Sequence, residues 1–200
     1  MIEINRCGWC NNDKLYQAYH DSEWGVPCRD DKKLFEFLIL EGAQAGLSWI
    51  TILKRREQYR QAFCGFQVDR VAEFTTEDVA RLMGNKGIIR NRLKIESAIS
   101  NARCYQKVQS EYGSFSKYIW AFVGDTPIIN HWISQKEIPA TTEISDRISR
   151  EMKKRGFRFF GSTICYAFMQ AMGIVNDHVL VCSRRDDIET LRDVLIRPKL

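Results

Sequence analysis

Glu41 stands directly after the apolar run Leu34 to Leu40, at a position where burial would favour a leucine. It opens the stretch Glu41-Gly42-Ala43-Gln44-Ala45-Gly46-Leu47-Ser48-Trp49, whose glycines and alanines leave the backbone nearly bare. Gln44 and Leu47 are the long side chains inside it, and Trp49 closes it with a large flat ring. A carboxylate, an amide, an apolar wedge and an aromatic ring on a thin backbone suit the recognition of a flat ligand. A buried carboxylate without a partner is costly or shifts its pKa. The plainer alternative for these nine residues alone is a carboxylate that caps or pairs inside a helical bundle.

A second constellation joins the two ends of the chain. Only three histidines occur, and His178 lies four residues before Cys182, a spacing that on a helix puts both ligand types on one face. Cys7 and His20 stand near the other terminus. The four make a Cys2His2 set suited to tetrahedral zinc with every position filled by protein. Such a shell leaves no place for an activated water, so the metal is expected to be structural, clipping the ends together. Cys10 forms a Cys-x2-Cys pair with Cys7, and spacing alone leaves open which of the two is the ligand. His178-x3-Cys182 by itself reads more readily as a core cysteine beside a surface histidine. His131, before Trp132, reads as ordinary structure.

The elements that must carry these residues are helical nearly everywhere. Asp13 caps a short helix through Leu15, Tyr16, Ala18 and Tyr19, broken by Gly25-Val26-Pro27. Asp30 and Asp31 begin the helix that carries Glu41 and ends near Gly46. Ser48 caps the next, whose apolar side is Trp49, Ile52, Leu53, Tyr59 and Phe63, with Lys54, Arg55, Arg56 and Arg60 largely on another side. Helices at about 69–74 and 76–83 lead to Gly84-Asn85-Lys86-Gly87-Ile88-Ile89-Arg90 and a longer helix from Arg92. Two helices joined by a turn with two glycines resemble a helix-hairpin-helix element, whose free backbone N–H groups can hold a phosphate, with Arg90, Arg92 and Lys94 beside it. Further helices are expected at 114–122, 143–155 and 163–172, separated by an irregular segment from Gly124 to Thr142. No repeat and no sustained period-two alternation is present, so the fold class is all-α. Residues 1–183 read as one domain of two lobes, and 184–200 as a charged helix or tail.

Composition narrows the function classes. The chain has 200 residues, 44% hydrophobic and 28% charged, as ordinary globular proteins do. No apolar run approaches a membrane span of ~20 residues. The start, Met1 to Arg6, has no apolar signal core, so secretion is not expected. Seven cysteines in an intracellular protein read as reduced thiols or metal ligands. A net charge of +5 is compatible with a polyanionic partner.

Arg6-Cys7-Gly8-Trp9, Tyr19-His20-Asp21-Ser22-Glu23-Trp24-Gly25-Val26-Pro27 and Glu41 to Trp49 resemble the type I DNA-3-methyladenine glycosylases. So do Gly87-Ile88-Ile89-Arg90, Lys153-Lys154-Arg155-Gly156-Phe157-Arg158-Phe159 and Val175-Asn176-Asp177-His178. The similarity runs in order from about residue 6 to residue 182. It implies a helix-hairpin-helix DNA repair glycosylase with a zinc-clipped lobe that excises 3-methyladenine from alkylated double-stranded DNA. It implies Cys7, His20, His178 and Cys182 as zinc ligands, favouring Cys7 over Cys10. Glu41 becomes the base-recognising, catalytic carboxylate, with Tyr19 and Trp49 as aromatic walls and Trp9, Tyr16 and Trp24 close by. Gln44, Gly46 and Leu47 match the positions that enter the base stack, and Gly87 and Arg90 the hairpin that holds DNA. The resemblance further implies a monofunctional hydrolase, working as a monomer in a bacterial-type cytoplasm. Base flipping, cation–π attraction for the cationic base and hydrogen bonds from an ionised Glu41 are the expected chemistry.

Overall fold

The structure, a computed structural model, describes residues 5–196, with side chains as far as Leu191. Helix α2 (Asp31–Gln44) lies at its centre, and Leu34 to Ala43 are all buried. A helix that is apolar all round must be surrounded, and α2 is. It packs against α3 (Trp49–Leu53), α7 (Arg92–Tyr112), α8 (Phe115–Trp120) and α10 (Ser162–Ala171). The 21-residue α7 gathers α5 (Val68–Ala72) and α6 (Thr76–Gly84) on one side of α2. On the other side α9 (Glu143–Lys154) packs on α10, while α1 (Lys14–Ser22) meets α3.

Local chemistry sets the helix starts. Asp13 accepts hydrogen bonds from the N–H groups of Leu15 and Tyr16, and Asp30 accepts one from Lys33 at 2.7 Å. Asp31 reaches the start of α8, where the Phe115 and Ser116 N–H groups donate to its carboxylate at 2.9 and 2.8 Å. Gly173 stops α10 with a positive φ of 63° and lies against the backbone of Val26 and Pro27, where any side chain would overlap it. The loop after α1 is thereby held on the end of α10.

Two expectations change, and one that was open is decided. The helix from Trp49 to Phe63 is two, α3 and α4 (Arg56–Ala62), because Arg55 leaves helical geometry at φ −105°, ψ 0°. The break turns Arg56 inward, off the supposed polar side, to ion pairs with Glu23 and Glu36 at 2.7 Å each and over the Phe37 ring. The irregular segment contains Ile128–Ile129 (β1), paired in parallel with Val175–Asn176 (β2). Of the stretch 184–200, left open as a helix or a tail, Arg185–Ile196 forms a helix (α11) with Ile188 fully buried, and 197–200 lie outside the described residues. No described helix is long and apolar enough to cross a membrane.

Candidate base pocket and metal centre

A cavity of about 340 Å³ opens between α1, the end of α2, α3, α10 and the segment 135–140. Trp9, Tyr16, Tyr19, Trp24, Glu41, Gln44 and Trp49 line it on one side. On the other, Thr163, Tyr166, Ala167 and Gln170 form an i, i+3, i+4, i+7 stripe along one face of α10. The rings stand close: Trp9 to Tyr16 at 4.8 Å between centroids, Trp9 to Trp24 at 5.0 Å and Tyr19 to Trp49 at 5.6 Å. A slot walled by π faces with a carboxyl at its edge suits a flat, electron-poor ring.

Glu41 is 2% exposed, and its Oε2 has no hydrogen-bond partner. The indole N–H groups of Trp9 and Trp49 are likewise buried and unpartnered. Three orphaned polar atoms around one cavity argue for a polar ligand there, since each is costly to leave unpaired. Burial raises the Glu41 pKa to about 8, so near neutral pH the carboxyl is mostly protonated in the free protein, and not ionised as the sequence reading assumed. Burial, with the Glu41 charge as a lesser cause, also keeps the Tyr19 phenol well above its ordinary value.

Beyond Glu41 the segment expected to act as a wedge turns outward. Gly46 has a φ of +77°, a left-handed conformation that glycine adopts without strain. Leu47, an apolar side chain 41% exposed, stands out at the tip. Gln44 sits between tip and cavity, half-buried. Lys94 was expected beside the glycine hairpin, yet its Nζ donates to the carbonyls of Ala43 and Ala45 at 2.9 and 2.6 Å. These carbonyls lie at the C-terminal end of α2, where a cation is favoured. The lysine thus fixes the backbone just before the Gly46–Leu47 tip.

In the hairpin between α6 and α7 the expected row of free N–H groups is largely used internally. Gly87 N–H goes to Asn85 Oδ1 at 2.8 Å, and Ile89 N–H to the Tyr59 hydroxyl at 3.1 Å. Gly87 has no room for a side chain, because a Cβ would lie 2.7 Å from Gln58. What the hairpin offers a phosphate is charge: Lys86 and Arg90 are exposed and share a shallow depression with Arg55.

At the back of the aromatic cluster, Cys7, His20, His178 and Cys182 are all buried, with ligand atoms within 4.8 Å of one another. His178 Nδ1 is 3.6 Å from Cys7 Sγ and 3.2 Å from Cys182 Sγ, and His20 Nε2 is 3.5 Å from Cys182 Sγ. Ligands ~2.0–2.3 Å from a tetrahedral zinc lie about 3.3–3.8 Å apart, so the set fits. The outer nitrogens are held as well: His178 Nε2 faces the Trp24 carbonyl at 3.2 Å and His20 Nδ1 faces Asp21 at 2.8 Å. Those contacts aim the inner nitrogens at the thiols, where a metal would take the place of the Cys7 N–H that now donates to His20 Nε2 at 3.2 Å. The Cys7 thiol shares its proton with Cys182, which raises Cys7 and lowers Cys182; a divalent cation would replace that proton.

Cys10 points elsewhere, its thiol donating to the Cys7 carbonyl at 3.1 Å. His178 and Cys182 do not share a helix face as expected. They sit in a turn closed by the Cys182 N–H on the Val179 carbonyl at 2.8 Å, and the turn brings both inward. The chain ends also meet through Ser183 N–H on the Asn5 carbonyl at 2.9 Å. The α10 wall of the cavity was missed from the sequence. Its period-3.6 stripe was visible, but an apolar-rich helix face reads as core.

The sequence profile of the methyladenine glycosylase family matches residues 9–185. The DNA-3-methyladenine glycosylase 1 of Escherichia coli (strain K12) is 52% identical over 179 residues, 90% of this chain and 96% of that protein. The DNA-3-methyladenine glycosylase of Haemophilus influenzae is 48% identical over 177 residues, 88% and 96% of the two chains. Among solved structures, a 3-methyladenine DNA glycosylase I superposes with a TM-score of 0.88 at 52% identity, covering 90% of this chain and 98% of that one. The Staphylococcus aureus enzyme, solved for 3-methyladenine recognition, gives 0.88 at 36% identity, covering 91% and 97%.

Proposed function

The chain belongs to the methyladenine glycosylase family, and we propose that the aromatic cavity around Glu41 is where it binds the base it removes. As a member it is a DNA repair N-glycosylase that excises 3-methyladenine from alkylated DNA. The observation that carries the site is Glu41 Oε2, buried and unpartnered in a cavity lined by six aromatic residues.

In this reading Leu47 enters the base stack as the damaged nucleotide swings out, and Gln44 fills the gap left in the helix. Gly46 lets the wedge turn, while Arg90 holds the DNA backbone beside it by charge; Gly87, its N–H spent on Asn85, serves only to keep the hairpin tight against Gln58. Tyr16, Tyr19, Trp9, Trp24 and Trp49 enclose a cationic ring more favourably than a neutral one. The arriving cation lowers the Glu41 pKa, the carboxyl gives its proton to water at the open mouth of the cavity, and the carboxylate accepts a charge-assisted hydrogen bond from the base. Neutral adenine offers no charge to pull that proton away, so selectivity comes from the cost of ionising Glu41 in a dry pocket. The alkylated base is already a good leaving group, and water attacks the sugar carbon with no covalent enzyme intermediate.

We further infer that Cys7, His20, His178 and Cys182 hold one structural zinc ion. Bound there it would staple the ends and back the wall that carries Tyr19 and Trp24, taking no part in the reaction. Residues 1–183 form the glycosylase domain, which works on duplex DNA as a monomer in the cytoplasm, and 184–200 are an extension whose described helix docks through Ile188. The test is chromatographic detection of bases released from methylated duplex DNA, with Glu41→Gln beside the wild type. Release of 3-methyladenine, sharply reduced in a folded variant, is expected. Release unaffected by the substitution overturns the site, and trapping of the protein on DNA by borohydride overturns the monofunctional mechanism.

A further inference from the structure

Asp177 is fully buried and receives four hydrogen bonds from neutral side chains. Asn130 Nδ2 and Trp132 Nε1 donate to Oδ1, each at 2.7 Å, and the Tyr166 hydroxyl and Gln170 Nε2 donate to Oδ2 at 2.6 and 2.8 Å. The first two hold the segment that leads to the 135–140 rim. The last two belong to the α10 wall of the cavity.

This network fixes what the wall can offer a ligand. A tyrosine has one hydroxyl hydrogen, and Tyr166 gives it to Asp177. A glutamine amide can face either way, but a carboxylate only accepts, so Gln170 turns Nε2 to Asp177 and keeps Oε1 for the other side. That Oε1 has no hydrogen-bond partner among the described residues, and Gln170 lines the cavity. A carboxylate outside the cavity therefore sets the polarity inside it.

We propose that Gln170 is a specificity-determining residue whose Oε1 accepts a hydrogen bond from the exocyclic amine of the flipped purine. Asp177 is the positioning residue that keeps it an acceptor. The ligand class is an alkylated purine bearing a 6-amino group. A 6-oxo purine would bring its own acceptor against Oε1, leaving two lone pairs opposed in a dry site. The proposal rests on reading the cavity as the base pocket.

Methylated duplex DNA carries both 3-methyladenine and 3-methylguanine, so one substrate reports both release rates under single-turnover conditions. Gln170→Leu is expected to slow 3-methyladenine release much more than 3-methylguanine release, lowering their ratio by about tenfold. Asp177→Asn, which can donate to Gln170 and turn its amide round, is expected to lower the same ratio by raising 3-methylguanine release. Melting temperature and zinc content are measured alongside, and Gln170→Leu decides the matter if Asp177→Asn does not fold. A purely structural role would slow both bases in parallel, and an unchanged ratio in Gln170→Leu overturns the proposal. Glu41→Gln is run beside them. If it releases base at the wild-type rate, the pocket reading fails and the proposal with it. If Glu41→Gln is impaired while the Gln170→Leu ratio holds, only the role of Gln170 is lost.

Discussion

Replacing Glu41 by glutamine should stabilise the protein increasingly as the pH rises. The side chain is buried, and burial alone raises its pKa from 4.5 to about 8. A carboxyl whose folded pKa lies above its unfolded value binds more protons folded than unfolded through that interval. Its contribution is therefore whole below about pH 4.5 and is lost progressively as the pH rises towards 8. Each unit of difference is worth about 1.4 kcal/mol, so the full loss is about 5 kcal/mol, of which roughly 3 kcal/mol falls between about pH 5 and pH 8. Glutamine keeps the shape and does not titrate. Urea unfolding of both proteins across this range isolates the effect, because every other titrating group cancels in the difference. The stability gap, variant minus wild type, should widen by roughly 3 kcal/mol. A gap that stays flat within about 1 kcal/mol would show that Glu41 finds a partner or ionises freely, and the pocket chemistry argued from its isolation would be wrong.

The same shift predicts a pH–rate profile: 3-methyladenine excision at subsaturating DNA should rise with pH up to about 8 and then level, and a rate independent of pH through that range would count against ionisation of Glu41 on binding. Leu47→Ala should lower excision from duplex DNA by tenfold or more while leaving excision from single strands nearly unchanged, since only a duplex must be wedged open. Elemental analysis of the wild type should find one equivalent of zinc; Cys182→Ala should lose it and melt at a markedly lower temperature, as should the wild type with a strong chelator, and a metal-free wild type would refute the assignment. Gly173→Ala should cost several kcal/mol in urea unfolding, because the residue combines a φ of +63° with the backbone of Val26 and Pro27 against it; a near-neutral result would mean that the 25–27 loop is free to move.

The sequence alone determined most of the helices, and it did so through short-range chemistry. The acidic cap at Asp30, the closing glycine at Gly173 and the apolar run Leu34 to Leu40 act within a few residues of themselves, so a linear reading finds them. Glu41 was legible for the same reason, as a carboxylate breaking an apolar pattern, and the wedge was legible as a bare, glycine-rich stretch ending in Trp49. The Cys and His pairs were legible as ligand types, although the predicted shared helix face proved to be a turn. Tertiary structure decided what depends on distance through space. Only it placed Lys94 on the carbonyls of Ala43 and Ala45, across about fifty residues, instead of beside the hairpin. The family motif already favoured Cys7 over Cys10, and the structure adds the physical reason, gathering Cys7 with the other three side chains while the Cys10 thiol turns to a carbonyl. The protonation of Glu41 was likewise invisible in the chain, because a pKa reports the desolvation and partners supplied by other elements. So was the α10 wall: Tyr166 and Gln170 carry the apolar-rich pattern of an ordinary core helix, and they become a polar surface of fixed sense because Asp177, from the turn beyond, takes their hydrogens. Local propensity reaches a few residues along the backbone, while the polarity of a pocket is set by whichever groups folding brings within about 3 Å.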